Sequence, residues 1–267
     1  MNQLFNGCMK PTLLLIDDNE EILDFLEEEL QEEYQLIKAL NGAEGLEVLR
    51  EASVQLVISD VIMPEMDGFE FCRILKTEVE FSHIPVILLT AKNTLQSKIK
   101  GLELGADAYI EKPFSPAHLQ AQITNLLNNR NKIKDYFASS PLVHIRSMAY
   151  SRADETFLET LNEAIEKNMN DSGLDVEMLA REMAMSRATF YRKVKAISNL
   201  TPNELIHITR LKKAAVMLAA GTHNINQIME IVGYNAQSNF SRGFQKQFGM
   251  TPTEYVHKKQ NEKNQER

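Results

Sequence analysis

Four short apolar runs in the first 112 residues each end in a polar side chain, and this arrangement constrains the chain more than any other feature. Leu13-Leu14-Leu15-Ile16 runs into Asp17-Asp18, Leu56-Val57-Ile58-Ser59 into Asp60, and Val86-Ile87-Leu88-Leu89 into Thr90. Asp107-Ala108-Tyr109-Ile110 leads through Glu111 into Lys112-Pro113. Runs this short and apolar suit strands buried on both faces, as in parallel sheets. Helical patterns alternate with them at Glu20–Tyr34, Ala43–Glu51, Phe69–Thr77 and Ser115–Asn129, and Gln35–Leu40 adds a further strand. The expected fold is a doubly wound, five-stranded parallel α/β sheet. Ligands of such a sheet bind just outside the carboxyl ends of its strands. Three carboxylates, one hydroxyl and one ammonium would therefore meet in one crevice. Clustered carboxylates repel each other unless a divalent cation sits among them, and oxygen ligands beside a phosphate suit Mg²⁺. A lysine and a threonine hydroxyl can then hold the oxygens of a phosphoryl group on the third carboxylate.

Residues 10–130 resemble the receiver domain of two-component response regulators at these positions, and Met63-Pro64-Glu65-Met66-Asp67-Gly68 matches that family's loop after the third strand. The resemblance implies a flavodoxin-like fold with Asp60 as the phosphoryl acceptor. It implies Mg²⁺ held by Asp17, Asp18, Asp60 and the Ile62 main-chain carbonyl. Lys112 would pair with the phosphoryl group, Thr90 and Tyr109 would be the switch pair that reports it, and the Lys112-Pro113 peptide is expected to be cis. Phosphatases of the haloacid-dehalogenase type use similar groups, but place the nucleophile in Asp-x-Asp after the first strand. Here that place reads Asp17-Asp18-Asn19 and the candidate nucleophile follows the third strand, so a regulator is expected and an enzyme is not.

The net charge of −8 conceals two opposite halves: residues 1–130 carry −12 and residues 131–267 carry +4. Nucleic acid would be repelled by the first and tolerated by the second. No apolar run reaches membrane-spanning length and no signal peptide is evident, so a cytoplasmic protein without membrane contact is expected. Cys8 and Cys72 suggest two reduced thiols, and the six histidines show no metal-ligand spacing. Residues 131–155 read as a linker, partly helical at first and broken at Ala138-Ser139-Ser140-Pro141. A second domain is expected over 156–258, followed by a tail over 259–267.

That second domain contains an internal repeat. A gap-free shift of 50 residues places Phe190 on Phe240, Arg192 on Arg242 and Val194 on Phe244, and Thr201-Pro202-x-Glu204 on Thr251-Pro252-x-Glu254. In both Thr-Pro-x-Glu segments threonine caps a helix, proline starts it and glutamate closes a capping box. Each repeat reads as a helix–turn–helix: Val176–Met183 with Ser186–Ala196, then Asn226–Val232 with Ala236–Phe248. One long helix, Pro202–Ala220, would hold the two units at a fixed separation. With Phe190, Val194, Phe240 and Phe244 turned inward, Arg187, Ala188, Tyr191 and Arg192 remain on the outer faces of the first unit. Gln237, Ser238, Ser241 and Arg242 form the comparable surface of the second. Arginine reads guanine bidentately, and such a helix fits the major groove.

Residues 157–256 resemble the AraC/XylS transcription-factor DNA-binding domain, through the repeat, Arg210-Leu211-Lys212-Lys213-Ala214 and Phe244–Pro252. The resemblance implies an all-α domain whose two recognition helices enter successive major-groove segments of double-stranded DNA. It also implies RNA polymerase as a partner and activation as the output. The two resemblances together look like the C-terminal end of hybrid two-component proteins. A sensor histidine kinase, on the same parent polypeptide or a separate one, is thus the expected phosphoryl donor, and a homodimer on phosphorylation the expected active form.

Overall fold

The computed structural model describes residues 10–91, 95–140 and 143–265, so Cys8 and Pro141 lie outside the described residues. The chain divides into two units, residues 1–131 and 132–267.

In the first unit, β1 (Thr12–Ile16), β2 (Gln35–Ala39), β3 (Leu56–Asp60), β4 (Val86–Thr90) and β5 (Ala108–Glu111) form one parallel sheet in the order β2-β1-β3-β4-β5. Five helices alternate with them: α1 (Glu20–Leu30), α2 (Gly42–Glu51), α3 (Gly68–Thr77), α4 (Leu95–Glu103) and α5 (Pro116–Ser139). The pleat sends alternate residues to opposite faces. Leu14, Ile16 and Val57 pack with Leu46, Leu49, Phe71 and Leu75 of α2 and α3. Leu13, Leu15 and Ile58 pack with Leu23, Leu26, Leu119 and Ile123 of α1 and α5. Both faces are covered, which explains why the strands read as unbroken apolar runs. Asn19, Asn41 and Asp67 cap α1, α2 and α3 by accepting backbone N–H bonds.

The second unit is helical: α6 (Arg152–Lys167), α7 (Val176–Glu182), α8 (Arg187–Ser198), α9 (Pro202–Ala220), α10 (Ile225–Ile231), α11 (Gln237–Phe248) and α12 (Pro252–Gln265). Phe190, Val194, Phe240 and Phe244 all lie in one core with Leu161, Leu179, Leu211 and Ile228. The capping box of Thr201 and Glu204 opens α9, and Thr251 and Glu254 exchange the same bonds ahead of α12.

The expected linker differs from what is found. Helix α5 continues to Ser139, ten residues past the expected end, and a 3-10 turn follows at Ile145–Met148. Phe137, Ile145 and Met148 are buried in the core of the second unit. The Lys212 ammonium donates to the carbonyls of Phe137 (2.7 Å) and Val143 (2.9 Å), and Gln247 donates to the carbonyl of Ala138. This segment is thus an integral layer of the helical unit. Its three anchors are spaced too irregularly to register as a periodic pattern.

Candidate functional site

The first unit brings Asp17, Asp60 and Lys112 together at the carboxyl ends of β1, β3 and β5. Adjacent strands β1 and β3 end in register, so Asp17 and Asp60 emerge side by side. Lys112 follows β5, and its backbone N–H donates to the Thr90 carbonyl at 2.8 Å. That bond aims the side chain across the sheet, where Nζ lies 2.6 Å from Asp60 Oδ1 and 2.7 Å from Asp17 Oδ2. The second Asp60 oxygen accepts the Ile62 N–H at 2.8 Å, and Asp17 Oδ1 accepts the Asn19 N–H at 3.0 Å. Asp17 and Asp60 are buried, whereas Asp18 is exposed on the rim.

Burial disfavours a charged Asp17 and pushes its pKa up, although bonds from Lys112 and the Asn19 N–H oppose the shift. Burial also works against the Lys112 ammonium, but hydrogen bonds to Asp17 and Asp60 outweigh it and hold its pKa above the usual value. Lys112 is therefore a fixed positive charge at the Asp60 carboxylate. Among the described residues no three acidic, histidine or cysteine side chains converge as a metal cluster; Lys112 bonds both Asp17 and Asp60, and Asp18 is exposed. The donor set is nonetheless all oxygen, which fits Mg²⁺ and not a soft metal.

Thr90 is buried at the end of β4, beside β3, the strand that ends in Asp60. Tyr109 is half-buried in β5. Its ring occupies space left open by Gly101 of α4, where an added Cβ would approach Cδ2 to 3.2 Å. The Lys112-Pro113 peptide is cis. Gly68 is a position whose steric reason is invisible in the sequence. A Cβ there would lie 2.1 Å from the Asp60 carbonyl oxygen, so only glycine lets α3 start directly behind Asp60. Its place at the end of the β3–α3 loop is the one signal that marks it.

In the second unit, Arg187, Ala188, Tyr191 and Arg192 of α8 are exposed, as are Gln237, Ser238 and Arg242 of α11, while Ser241 is half-buried. Each helix follows a short turn from its partner helix, with Phe190 of α8 and Phe240 and Phe244 of α11 buried. Arg187 Nη1 lies 3.2 Å from Glu177 of α7, so this arginine already has an acidic neighbour.

Comparison with known proteins places both units. Residues 13–124 match the family described as "Response regulator receiver domain", and residues 179–258 match "Helix-turn-helix domain". The chain is a receiver domain followed by an AraC-type helix–turn–helix domain. Histidine kinase P4 of Formosa agariphila is 39% identical over 92% of this receiver–helix–turn–helix chain, which spans 18% of that protein. Response regulator GtcR of Aneurinibacillus migulanus is 37% identical over 57% of the chain and 66% of its own length. The probable transcriptional regulator ycf27 of Pyropia yezoensis is 42% identical over 46% of the chain, which covers 50% of that protein. The chain thus spans from about a fifth to about two thirds of these relatives. The receiver, the helix–turn–helix domain and these relatives together support a phosphorylation-regulated DNA-binding regulator. No described helix is long and apolar enough to cross a membrane.

Proposed function

We propose that this regulator accepts a phosphoryl group on Asp60 from a histidine kinase and, in response, binds specific DNA sequences through α8 and α11 to activate transcription. The observation that carries the reading is the Lys112 ammonium, held within 2.7 Å of both Asp60 and Asp17 at the carboxyl ends of three strands. Mg²⁺, held by Asp17, Asp18, Asp60 and the Ile62 carbonyl, would supply charge neutralisation for an incoming phosphoryl group. Lys112 keeps a positive charge beside the same oxygens, and the Ile62 N–H orients the acceptor carboxylate. Phosphorylation adds charge and three acceptor oxygens next to Thr90. Thr90 then turns toward the phosphoryl group and Tyr109 packs into the space behind it, changing the surface of α4, β5 and α5. Dimerisation through that surface would place two DNA-binding units on neighbouring sites and raise affinity through effective concentration.

Arg187, Ala188, Tyr191 and Arg192 on α8, with Gln237, Ser238, Ser241 and Arg242 on α11, are the residues assigned to the DNA. The output is recruitment of RNA polymerase, in the cytoplasm. The kinase-named Formosa relative, far longer than this chain, supports a donor on the same parent polypeptide. The test is enrichment of genomic DNA fragments on the protein with and without Mg²⁺ and beryllofluoride, a phosphoryl mimic. A shared motif recovered better with the mimic, and no mimic effect in Asp60→Asn, is the expected result. An unchanged mimic response in Asp60→Asn would sink the mechanism.

A further inference from the structure

The turns of the two helix–turn–helix repeats share one backbone shape. Ala184 and Gly233 both adopt the left-handed conformation, at φ 53° and 76°. In each turn the next N–H reaches back five residues, from Met185 to the Ala180 carbonyl (2.9 Å) and from Tyr234 to the Met229 carbonyl (3.0 Å). The first turn tolerates a Cβ. At Gly233 an added Cβ would lie 2.3 Å from the Met169 carbonyl oxygen and 2.9 Å from Arg210 Nη2. Backbone freedom alone therefore does not explain this glycine: the loop between α6 and α7 presses directly on the second turn.

Arg210 of α9 sits at that junction and is 5% exposed. Its Nη2 donates to the Asp171 carbonyl at 2.6 Å and its Nη1 to the Gly233 carbonyl at 3.4 Å, while Nε is buried without a partner among the described residues. A buried guanidinium is a costly way to fill space. Its fork instead spans two carbonyls that belong to different repeats, one just ahead of α7 and one between α10 and α11. His207, three residues earlier on α9, packs against Tyr234 of the same turn with ring centroids 6.1 Å apart. Tyr234 in turn packs against Phe240 of α11. On the other side, Lys193 of α8 is bonded to Asp154 of α6 at 2.5 Å, both fully buried. An unbroken line of contacts thus joins α8 to α11 through α6, its following loop and Arg210.

We propose that Arg210 is a positioning residue that sets the separation and orientation of α8 relative to α11, so that the protein accepts DNA whose two contact segments lie at one spacing. This rests on the reading of both helices as DNA readers. Nitroxide labels at the exposed Arg181 of α7 and Glu230 of α10, in the full chain with Cys8 replaced by serine, measure the separation by electron–electron double resonance without DNA. The parent should give one narrow distance distribution, and Arg210→Met a broadened or displaced one. If Arg210→Met does not fold by circular dichroism, Arg210→Lys decides, because it keeps a buried cation but lacks the fork. On DNA carrying the motif enriched by the parent, inserting one base pair between the two segments should cost the parent about tenfold in affinity and the variant about twofold. An unchanged distance distribution in a folded variant, or undiminished spacing discrimination, overturns the proposal. A parent that enriches no motif refutes the DNA reading instead, and the distance measurement still decides the role of Arg210.

Discussion

At position 193 the first helix–turn–helix repeat buries a lysine, and at the matching position 243 the second has a glycine. Lys193 is bonded to Asp154 with no exposure for either group, whereas an added Cβ at Gly243 would meet only ordinary contacts, Leu211 at 3.6 Å and the Tyr234 hydroxyl at 3.8 Å. The second repeat is held instead by aromatic edges: Phe244 meets Phe248 at 4.6 Å and Tyr255 at 5.5 Å. The recognition helices differ at their starts as well. Ser186 caps α8 by accepting the Thr189 N–H, whereas Ala236 offers α11 no side-chain cap. The alignment of the repeats also slips. The second helices match at an offset of 50, as in Phe190 and Phe240, but their N-terminal partners, capped by Asp175 and Asn224, match at 49. One additional residue in the second turn absorbs the difference. A duplicated backbone can therefore be kept by an ion pair in one copy and by ring packing in the other.

The largest effect should come from breaking the ion pair. Lys193→Met leaves Asp154 buried and uncompensated and should cost about 3–5 kcal/mol in urea denaturation. Gly243→Ala should be neutral or stabilise α11 by up to about 1 kcal/mol. Equal losses at both positions would erase the contrast. Lys212 of the shared helix α9 sharpens it, because this buried ammonium meets carbonyls and the Phe137 ring where Lys193 meets a carboxylate. Burial lowers its pKa from 10.5 to about 8. The folded state then releases its proton before the unfolded chain does, so stability rises as pH climbs from about 8 towards 10.5. The gain should be on the order of 2 kcal/mol, and Lys212→Met should abolish the rise. Next is Gly233→Ala, expected to cost about 1–3 kcal/mol by melting temperature. Ala184→Gly at the equivalent turn should change stability by less than about 1 kcal/mol. The smallest pair concerns caps: Ser186→Ala should lose about 1 kcal/mol, and Ala236→Ser should gain about 0.5 kcal/mol.

What could be read from the sequence follows from how locally each feature is written. Asp17, Asp60, Thr90 and Lys112 were legible because each sits at the end of a short apolar strand, and a parallel sheet leaves those ends no other place to go. The repeat was legible through Phe190 and Phe240 and the two Thr-Pro-x-Glu starts. The burial of Asp17 and the exposure of Asp18 were not, because adjacent aspartates give no clue to which one the strand's end will bury. The burial of the Arg210 and Lys212 side chains was not legible either. Their charges are met by main-chain carbonyls, partners that carry no side-chain signature. Residues 131–155 escaped for a related reason, since Phe137, Ile145 and Met148 dock separately and not along one helical stripe.

The Lys193–Asp154 pair also bears on anyone who would retarget this protein by exchanging recognition helices. The two helices have the same length, twelve residues each, and their outer faces invite a simple transplant. A graft of α8 into the second site would carry Lys193 into the place of Gly243, among Leu211 and Tyr234, without the Asp154 that its ammonium meets in the first repeat. The reverse graft would install a glycine opposite Asp154 and strand that carboxylate in the core. A working exchange must move the acid on α6 together with the helix, so the smallest portable recognition module in this domain is a pair of helices distant in sequence.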